Sequence, residues 1–317
     1  MVSLYPSISG KKYQSARVKR SISSRFDDEH IDKCCVGYYI VIMTKMNAPD
    51  KAVAAKPASL NNPIRRRVKR AGKKFTRWMA GHQTKVSLVP DEPFLDPALF
   101  PFLDEITANW QDIAEETQEV LKHREAIPGF QEISPDQYRI ATAKNWRTFI
   151  LFGFGKKFEK NCKQMPKTAE MLARIPNIQI AWLSILAPGY HIPAHTGVTK
   201  GLIRTHLGLI IPKDAEKCRI RVDEGIRHWK PGELIVLDDT YEHEVWNDTD
   251  EERVILLLDF DRPMRWSGRL LNWIFLRLIR FSAFYKDPLR NTLKYEDRFE
   301  SATRRSDEII ERMSDPS

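Results

Sequence analysis

His195 and His243 stand 48 residues apart, each beside the end of a predicted strand. Neutral imidazole is the commonest protein ligand for iron, zinc and similar ions, and two brought together from distant strands make a metal site. Spacing alone is weak support, because two histidines in a chain of this length are more often surface or hydrogen-bonded core groups. Their neighbours strengthen it. Between them lies Arg204-Thr205-His206-Leu207-Gly208-Leu209, and ten residues past His243 comes Arg253, which opens the apolar run Val254 to Leu258. An arginine at the mouth of a buried strand needs an anionic partner or an exit to water. Two arginines and two metal-competent histidines therefore suit a small dicarboxylate that chelates a metal through one end and is clamped at the other.

The elements that must position these residues are legible from pattern. Phe100 to His123 carries Leu103, Ile106, Trp110, Ile113, Val120 and Leu121 at close to a helical period, and a second helix is predicted across Cys162 to Arg174, with Pro166 in its first turn. From Ile178 the signal turns to strands: Ile178–Leu186, Ile203–Ile211, Cys218–Val222, Glu233–Leu237, Glu244–Asn247 and Val254–Phe260. Pro188-Gly189, Pro212-Lys213-Asp214 and Pro231-Gly232 mark turns between them. Six short strands at this spacing predict an antiparallel sandwich or jelly roll with the helices on an outer face. Cys218 and Trp182 are expected in the core, and His191 and His228 in loops.

A dicarboxylate held between metal and arginine is the ligand logic of a 2-oxoglutarate oxygenase. The run His195-Thr196-Gly197…Arg204-Thr205-His206-Leu207-Gly208-Leu209-Ile210-Ile211-Pro212, then Trp229-Lys230-Pro231-Gly232-Glu233 and Asp238-Asp239-Thr240-Tyr241-Glu242-His243-Glu244-Val245-Trp246, closely resembles the aspartyl/asparaginyl β-hydroxylase family. The match is dense from about Ile178 to Pro263 and weaker back to about Phe100. The resemblance implies a mainly β fold with flanking helices, a cupin-like double-stranded β-helix. It implies Fe(II), with 2-oxoglutarate and O₂ as cosubstrates. Further, it implies that His195 and His243 ligate iron, that Arg204 and His206 bind the carboxylate nearest the keto group, and that Arg253 with Ser184 holds the distal one. One departure matters: the carboxylate ligand usual two residues after the first histidine is replaced by Gly197, which cannot ligate. Asp238, Asp239, Glu242 and Glu244 are read as turn formers, groups orienting the imidazole, or solvated charges.

Charge and composition set the organisation. The chain has 51 Lys+Arg against 42 Asp+Glu, net +9, but 19 of those cations and only 5 of the anions fall in residues 1–90, so the remaining body is mildly acidic. Residues 1–90 are expected to be a basic, mostly disordered extension, and Met43 and Met46, standing where its polar linker begins, leave open whether residues 1–42 belong to the natural product. Residues 91–263 form the jelly roll with its N-terminal helices, 264–290 a basic aromatic helix, and 291–317 a polar charged tail. The segment 64–79 interleaves Phe75, Trp78 and Met79 with basic residues. In 262–285 Arg262, Arg265, Arg269, Arg277 and Arg280 share one helical sector, opposite Leu271, Ile274, Phe275, Leu278 and Tyr285. Both segments suit an anionic membrane surface, or else a solvated basic face; nucleic acid is not an expected partner. Four scattered cysteines give no disulfide or zinc framework, and no apolar run reaches the ~20 residues that span a bilayer. The expected location is the cytoplasm, peripheral on the inner face of its membrane.

The similar segments outside the dense match also resemble the bacterial lipid A acyl-chain hydroxylase branch, which implies a membrane lipid acyl chain as substrate. Gly197 instead resembles the branch that β-hydroxylates aspartyl or asparaginyl residues in proteins. A reading of another class, a non-catalytic peripheral membrane or RNA-binding protein whose jelly roll merely holds a carboxylate, predicts no 2-oxoglutarate turnover.

Overall fold

The computed structural model describes residues 63–314 apart from 138–139, 154 and 280–282. Expectations for residues 1–62, including the start near Met43, and for Arg280 lie outside the described residues, as do those for the side chains of 64–73 and Tyr285.

Eleven strands are described: β1 Phe94–Leu95, β2 Trp146–Gly153, β3 Lys156–Lys157, β4 Ile178–Leu186, β5 Tyr190–His195, β6 Leu202–Ile210, β7 Cys218–Val222, β8 Gly225–His228, β9 Leu234–Leu237, β10 His243–Asn247 and β11 Arg253–Asp261. They form a seven-stranded sheet in the order β1-β9-β6-β11-β4-β2-β3 and a four-stranded sheet in the order β5-β10-β7-β8. Adjacent strands pair antiparallel throughout. The predicted jelly roll is therefore built as a sandwich. Its interior is closed by Trp146, Leu186, Ile255 and Leu257 of the larger sheet against Ile192, Ile220, Val222 and Val245 of the smaller. The opposite face of the larger sheet, with Phe149, Leu183, Leu207, Leu256 and Leu258, packs on the helices. Being covered on both sides, β11 reads as a continuous apolar run rather than an alternating one.

β5 was expected as loop, yet it pairs with β10; Pro193 is tolerated because β5 is an edge strand, where a missing N–H costs no ladder bond. His191 and His228 accordingly sit in strands β5 and β8, not in loops. His191 stacks on Trp246 at 5.0 Å and its Nε2 lies 3.1 Å from Glu244, so its partners are structural.

Eight helices are described: α1 Pro63–Val86, α2 Asp104–Ala108, α3 Trp110–Leu121, α4 Phe130–Ile133, α5 Glu159–Gln164, α6 Pro166–Arg174, α7 Trp266–Ile279 and α8 Ala283–Ser314. The single helix expected over 100–123 breaks at Asn109, whose side-chain amide donates to Glu105 O at 2.8 Å and ends the first segment. The helix expected over 162–174 breaks at Met165, because the residue before a proline is pushed out of the α region. Neither Phe158 nor Met165 can cap the helix that follows it. Carboxylates from elsewhere do so: Glu296 of α8 accepts from Lys160 N and Asn161 N, and Glu116 of α3 from Lys167 N and Thr168 N.

Two boundaries differ from expectation. The disorder expected through residue 90 does not hold for its last part: α1 occupies Pro63–Val86 and buries Met79 and Gln83, with Gln83 Nε2 donating to Thr199 Oγ1 at 3.4 Å and Asn272 Oδ1 at 3.5 Å. Residues 291–314 are not a polar tail, since α8 buries Thr292, Glu296 and Phe299, spaced as one helical face. Arg262 does not belong to the basic helix either. It precedes α7, is buried, and pairs with the fully buried Asp238, which Lys200 also contacts at 2.9 Å.

Candidate active site

β5 and β10 pair so that His243 lies directly across from His195, with ring centroids 4.2 Å apart. In each ring Nδ1–H donates to a carbonyl two residues back: His195 to Pro193 O at 2.8 Å, His243 to Tyr241 O at 2.9 Å. These bonds fix the tautomer and leave both Nε2 lone pairs without a hydrogen-bond partner among the described residues. Burial pushes His195 down to about 4 and His243 well below the ordinary imidazole value, so both are neutral at physiological pH. Two anchored, neutral, adjacent imidazoles with free Nε2 atoms are what a divalent transition metal requires.

Along the larger sheet the register aligns the remaining candidates. The inward-facing residues of β11 are Arg253, Ile255, Leu257 and Asp259, and their cross-strand partners include Ser184, Trp182, His206 and Arg204. Arg253 is 1% exposed, yet its Nε and Nη2 have no hydrogen-bond partner, and its guanidinium lies 4.7 Å over the Trp229 ring. Burial lowers it to about 10 because no carboxylate offsets the desolvation. His206 is buried with neither ring nitrogen partnered, and Trp229 Nε1 is likewise unpaired. Arg253 Nε and Nη2, both His206 ring nitrogens and Trp229 Nε1, all buried and without a hydrogen-bond partner among the described residues, form a cradle whose chemistry fits an anionic, hydrogen-bond-accepting ligand. Ser184 Oγ accepts from Trp146 Nε1 at 3.0 Å and keeps its own proton to donate.

Arg204 is placed differently from what the resemblance implies. Its Nε and Nη2 each donate to Asp259 at 2.8 Å, and Nη1 lies 3.2 Å from Asp239. Its charge is thus already balanced by a buried carboxylate, and it is less available to a cosubstrate than Arg253.

Asp239, expected as a turn former, a group orienting the imidazole or a solvated charge, stands against Gly197. A side chain built on Gly197 would overlap the Asp239 carboxylate, so that carboxylate fills the space where the usual third ligand would project. Burial raises Asp239 to about 6 against the opposing influence of Arg204. Linear spacing gave no pointer, since Asp239 is 42 positions from Gly197; the pointer was the glycine itself. Asp238, Glu242 and Glu244 take other roles. Asp238 closes a turn through Thr240 N and binds Arg262, whereas Glu242 and Glu244 pair with Arg221 on the outer face.

From the histidine pair a cavity of about 200 Å³ runs across the sheet and under α4, α7 and α8. His195, Gly197, Arg204, Asp239 and His243 line one part. Ile133, Ile150, Phe158, Ile180, Trp182 and Leu289 line much of the rest. Trp182, expected in the core, is instead a wall residue whose Nε1 is unpaired.

Residues 107–263 match the family model described as Aspartyl/Asparaginyl beta-hydroxylase. An ornithine lipid ester-linked acyl 2-hydroxylase from Rhizobium tropici is 40% identical over 222 residues, 70% of this chain and 79% of that protein. The aspartyl/asparaginyl beta-hydroxylase of Homo sapiens is 34% identical over 161 residues, 49% of this chain but 20% of that protein, so the chain spans a fifth of that relative. Among solved structures, a Cupin 2 conserved barrel domain protein from Salinispora arenicola aligns with 43% of this chain and 87% of its own at 13% identity and a TM-score of 0.26.

Proposed function

Because the chain belongs to the aspartyl/asparaginyl β-hydroxylase family, we propose that it is an Fe(II)- and 2-oxoglutarate-dependent dioxygenase that hydroxylates an unactivated C–H on the acyl chain of a membrane lipid. The observation that carries the substrate class is the cavity: beyond the histidine pair Ile133, Ile150, Phe158, Ile180, Trp182, Leu276 and Leu289 make much of its wall apolar, with Ser134, Gln137, Gln179 and Thr292 as polar interruptions. An extended hydrocarbon is accommodated by that apolar stretch. The acyl hydroxylase from Rhizobium tropici, similar over most of its length, supports the same reading.

His195 and His243 hold the iron through Nε2, their Nδ1 atoms being committed to backbone carbonyls. Arg253, assisted by Ser184, binds the distal carboxylate of 2-oxoglutarate, and His206 lies at the near end. Arg204 is held by Asp259 and in turn steadies Asp239 beside the histidines. When bound, Fe(II) supplies the O₂ chemistry, in which one oxygen atom enters the succinate formed as 2-oxoglutarate loses CO₂ and the other enters the C–H bond. The apolar walls align the chain and exclude water from the reacting carbon.

The partner surface in this reading is an anionic bilayer. Along α7 Trp266, Leu270, Trp273, Ile274 and Leu278 are exposed together with Arg265, Arg269 and Arg277, while Phe75 and Trp78 are exposed on α1, which packs beside it. Leu276 of the same helix lines the cavity, so one helix borders both the surface and the site. No described helix is long and apolar enough to cross a membrane. We place the protein at the cytoplasmic membrane surface on its inner side, held by these helices.

The test is mass spectrometry of lipid extracts from cells with and without the gene, beside a purified reaction containing Fe(II), 2-oxoglutarate and ascorbate. Expected are a hydroxylated acyl lipid only where the gene is present, and succinate formation that His243→Ala abolishes. Succinate formation with no hydroxylated lipid, accompanied by a hydroxylated Asp or Asn in protein, would replace the lipid reading. Equal turnover by His243→Ala would remove the metal assignment.

A further inference from the structure

Past the end of the main cavity lies a second void of about 10 Å³, room for about one water. The two spaces share three residues, Ile133 of α4, Ile150 of β2 and Thr292 of α8. Their location follows from register. Ile150 is across from Trp182, Trp182 from Leu257, and Leu257 from His206. Ile150 therefore stands three strand spacings, about 14 Å, from the cosubstrate cradle, with Trp182 between.

This partition is held in place, and the space behind it, walled by Pro128, Phe149, Tyr295 and Phe299 as well as by polar groups, has room for only about one water. Asn161 Nδ2 donates to Ile150 O at 2.8 Å, Asn291 Nδ2 to Ile133 O at 3.0 Å, and Thr292 Oγ1 to Pro288 O at 2.8 Å. On its far side Thr148 and Asn161 line the void, and Thr148 Oγ1 and Asn161 Oδ1 have no hydrogen-bond partner among the described residues. A methylene pushed past the partition would desolvate those two polar atoms without replacing their hydrogen bonds.

We infer that Ile133, Ile150 and Thr292 form the end stop of the acyl-chain channel and set the longest chain that the site accepts. The inference rests on the proposed lipid reading and adds a determinant of chain length to it. A chain seated with its methyl end against the stop gains from each methylene up to the limit. The gain is about fourfold in kcat/KM per methylene, the fold-change equivalent to the ~0.8 kcal/mol of burying one. Past the limit the next methylene displaces the reacting carbon from the histidine pair, and kcat/KM falls.

The experiment measures kcat/KM of the full chain, loaded with Fe(II), on ornithine lipids whose ester-linked saturated chain is graded in length. Wild type should rise about fourfold per methylene and then drop. Ile150→Ala should move the drop to longer chains, and Thr292→Ile, which fills the end, to shorter ones. Ile150→Val keeps the β-branched fit should the alanine variant not fold, and should shift the drop in the same direction by a smaller step. Active variants with the wild-type profile, or a wild-type profile without a drop, would overturn the end stop while leaving the lipid reading intact. Wild type inactive on every lipid but making succinate with a protein substrate would overturn both.

Discussion

Gly197 and Asp239 share one position in space. The glycine N–H donates to the Asp239 carbonyl at 2.6 Å, and any side chain at 197 would collide with the Asp239 carboxylate, which lines the same cavity as His195 and His243 and is paired with Arg204. Asp239, from the loop before the second histidine, thus takes up the space that a side chain two residues after the first would need.

Gly197→Asp should therefore not restore a three-ligand site. Its carboxylate must displace that of Asp239, two like charges in one space, and 2-oxoglutarate turnover should fall by tenfold or more with a lowered Tm. Gly197→Asp combined with Asp239→Gly vacates the space and should recover part of both losses. Additive losses in the double variant would show that the two positions do not compete.

Arg253 is a buried cation awaiting an anion, so its removal should separate binding from folding. Arg253→Met should raise the KM for 2-oxoglutarate at least tenfold while leaving the Tm of the ligand-free protein unchanged or higher, because an unpaired buried charge destabilises the fold. In wild type, 2-oxoglutarate should raise Tm, and in the variant it should not. Thermal melts with and without the cosubstrate read both effects.

Burial raises Asp261 to about 6, although Gln179 donates to it at 3.0 Å. The unfolded chain ionises this group near its ordinary value of 3.8, so between pH 3.8 and about 6 the folded state holds more protons and stability falls as pH rises. Asp261→Asn keeps the acceptor for Gln179 and removes the titration. It should stabilise by on the order of 1–2 kcal/mol at neutral pH, a gain that shrinks toward pH 4. Denaturant titrations at the two pH values decide it, and a gain independent of pH would refute the assignment.

The exposed aromatic residues of α7 should govern vesicle binding rather than catalysis. Trp266→Glu with Leu278→Glu should weaken binding to phosphatidylglycerol vesicles by tenfold or more, each apolar side chain contributing ~1–3 kcal/mol when buried. Replacing Arg265 and Arg269 should chiefly remove the salt dependence, at about 1 kcal/mol per charge. Sedimentation with vesicles at low and high salt measures both, and succinate formation on detergent-dispersed substrate should be unaffected.

Much of the jelly roll could be read from the chain alone because its cues are local. Ile178–Leu186 and Cys218–Val222 are strands with the predicted bounds, since β-branched runs closed by Pro and Gly turns carry their own boundaries. The family motif likewise placed His195, His206, His243 and Arg253, and the fold brings them to one interior. What the chain could not reveal depended on partners distant in sequence. β5 contains a proline and an outward-facing histidine, and only its edge position beside β10 makes it a strand. α8 resembles a charged tail until Glu296 is found capping α5 and Thr292 closing the cavity. Arg204 and Arg253 look equivalent as letters. One faces Asp259 across the β6–β11 register and is neutralised; the other faces Leu186 and is left with an unanswered charge. Residue type thus determined which chemistry was possible, while register and long-range packing decided which arginine is paired with a carboxylate, which carboxylate stands against Gly197 and which side chains line the cavity.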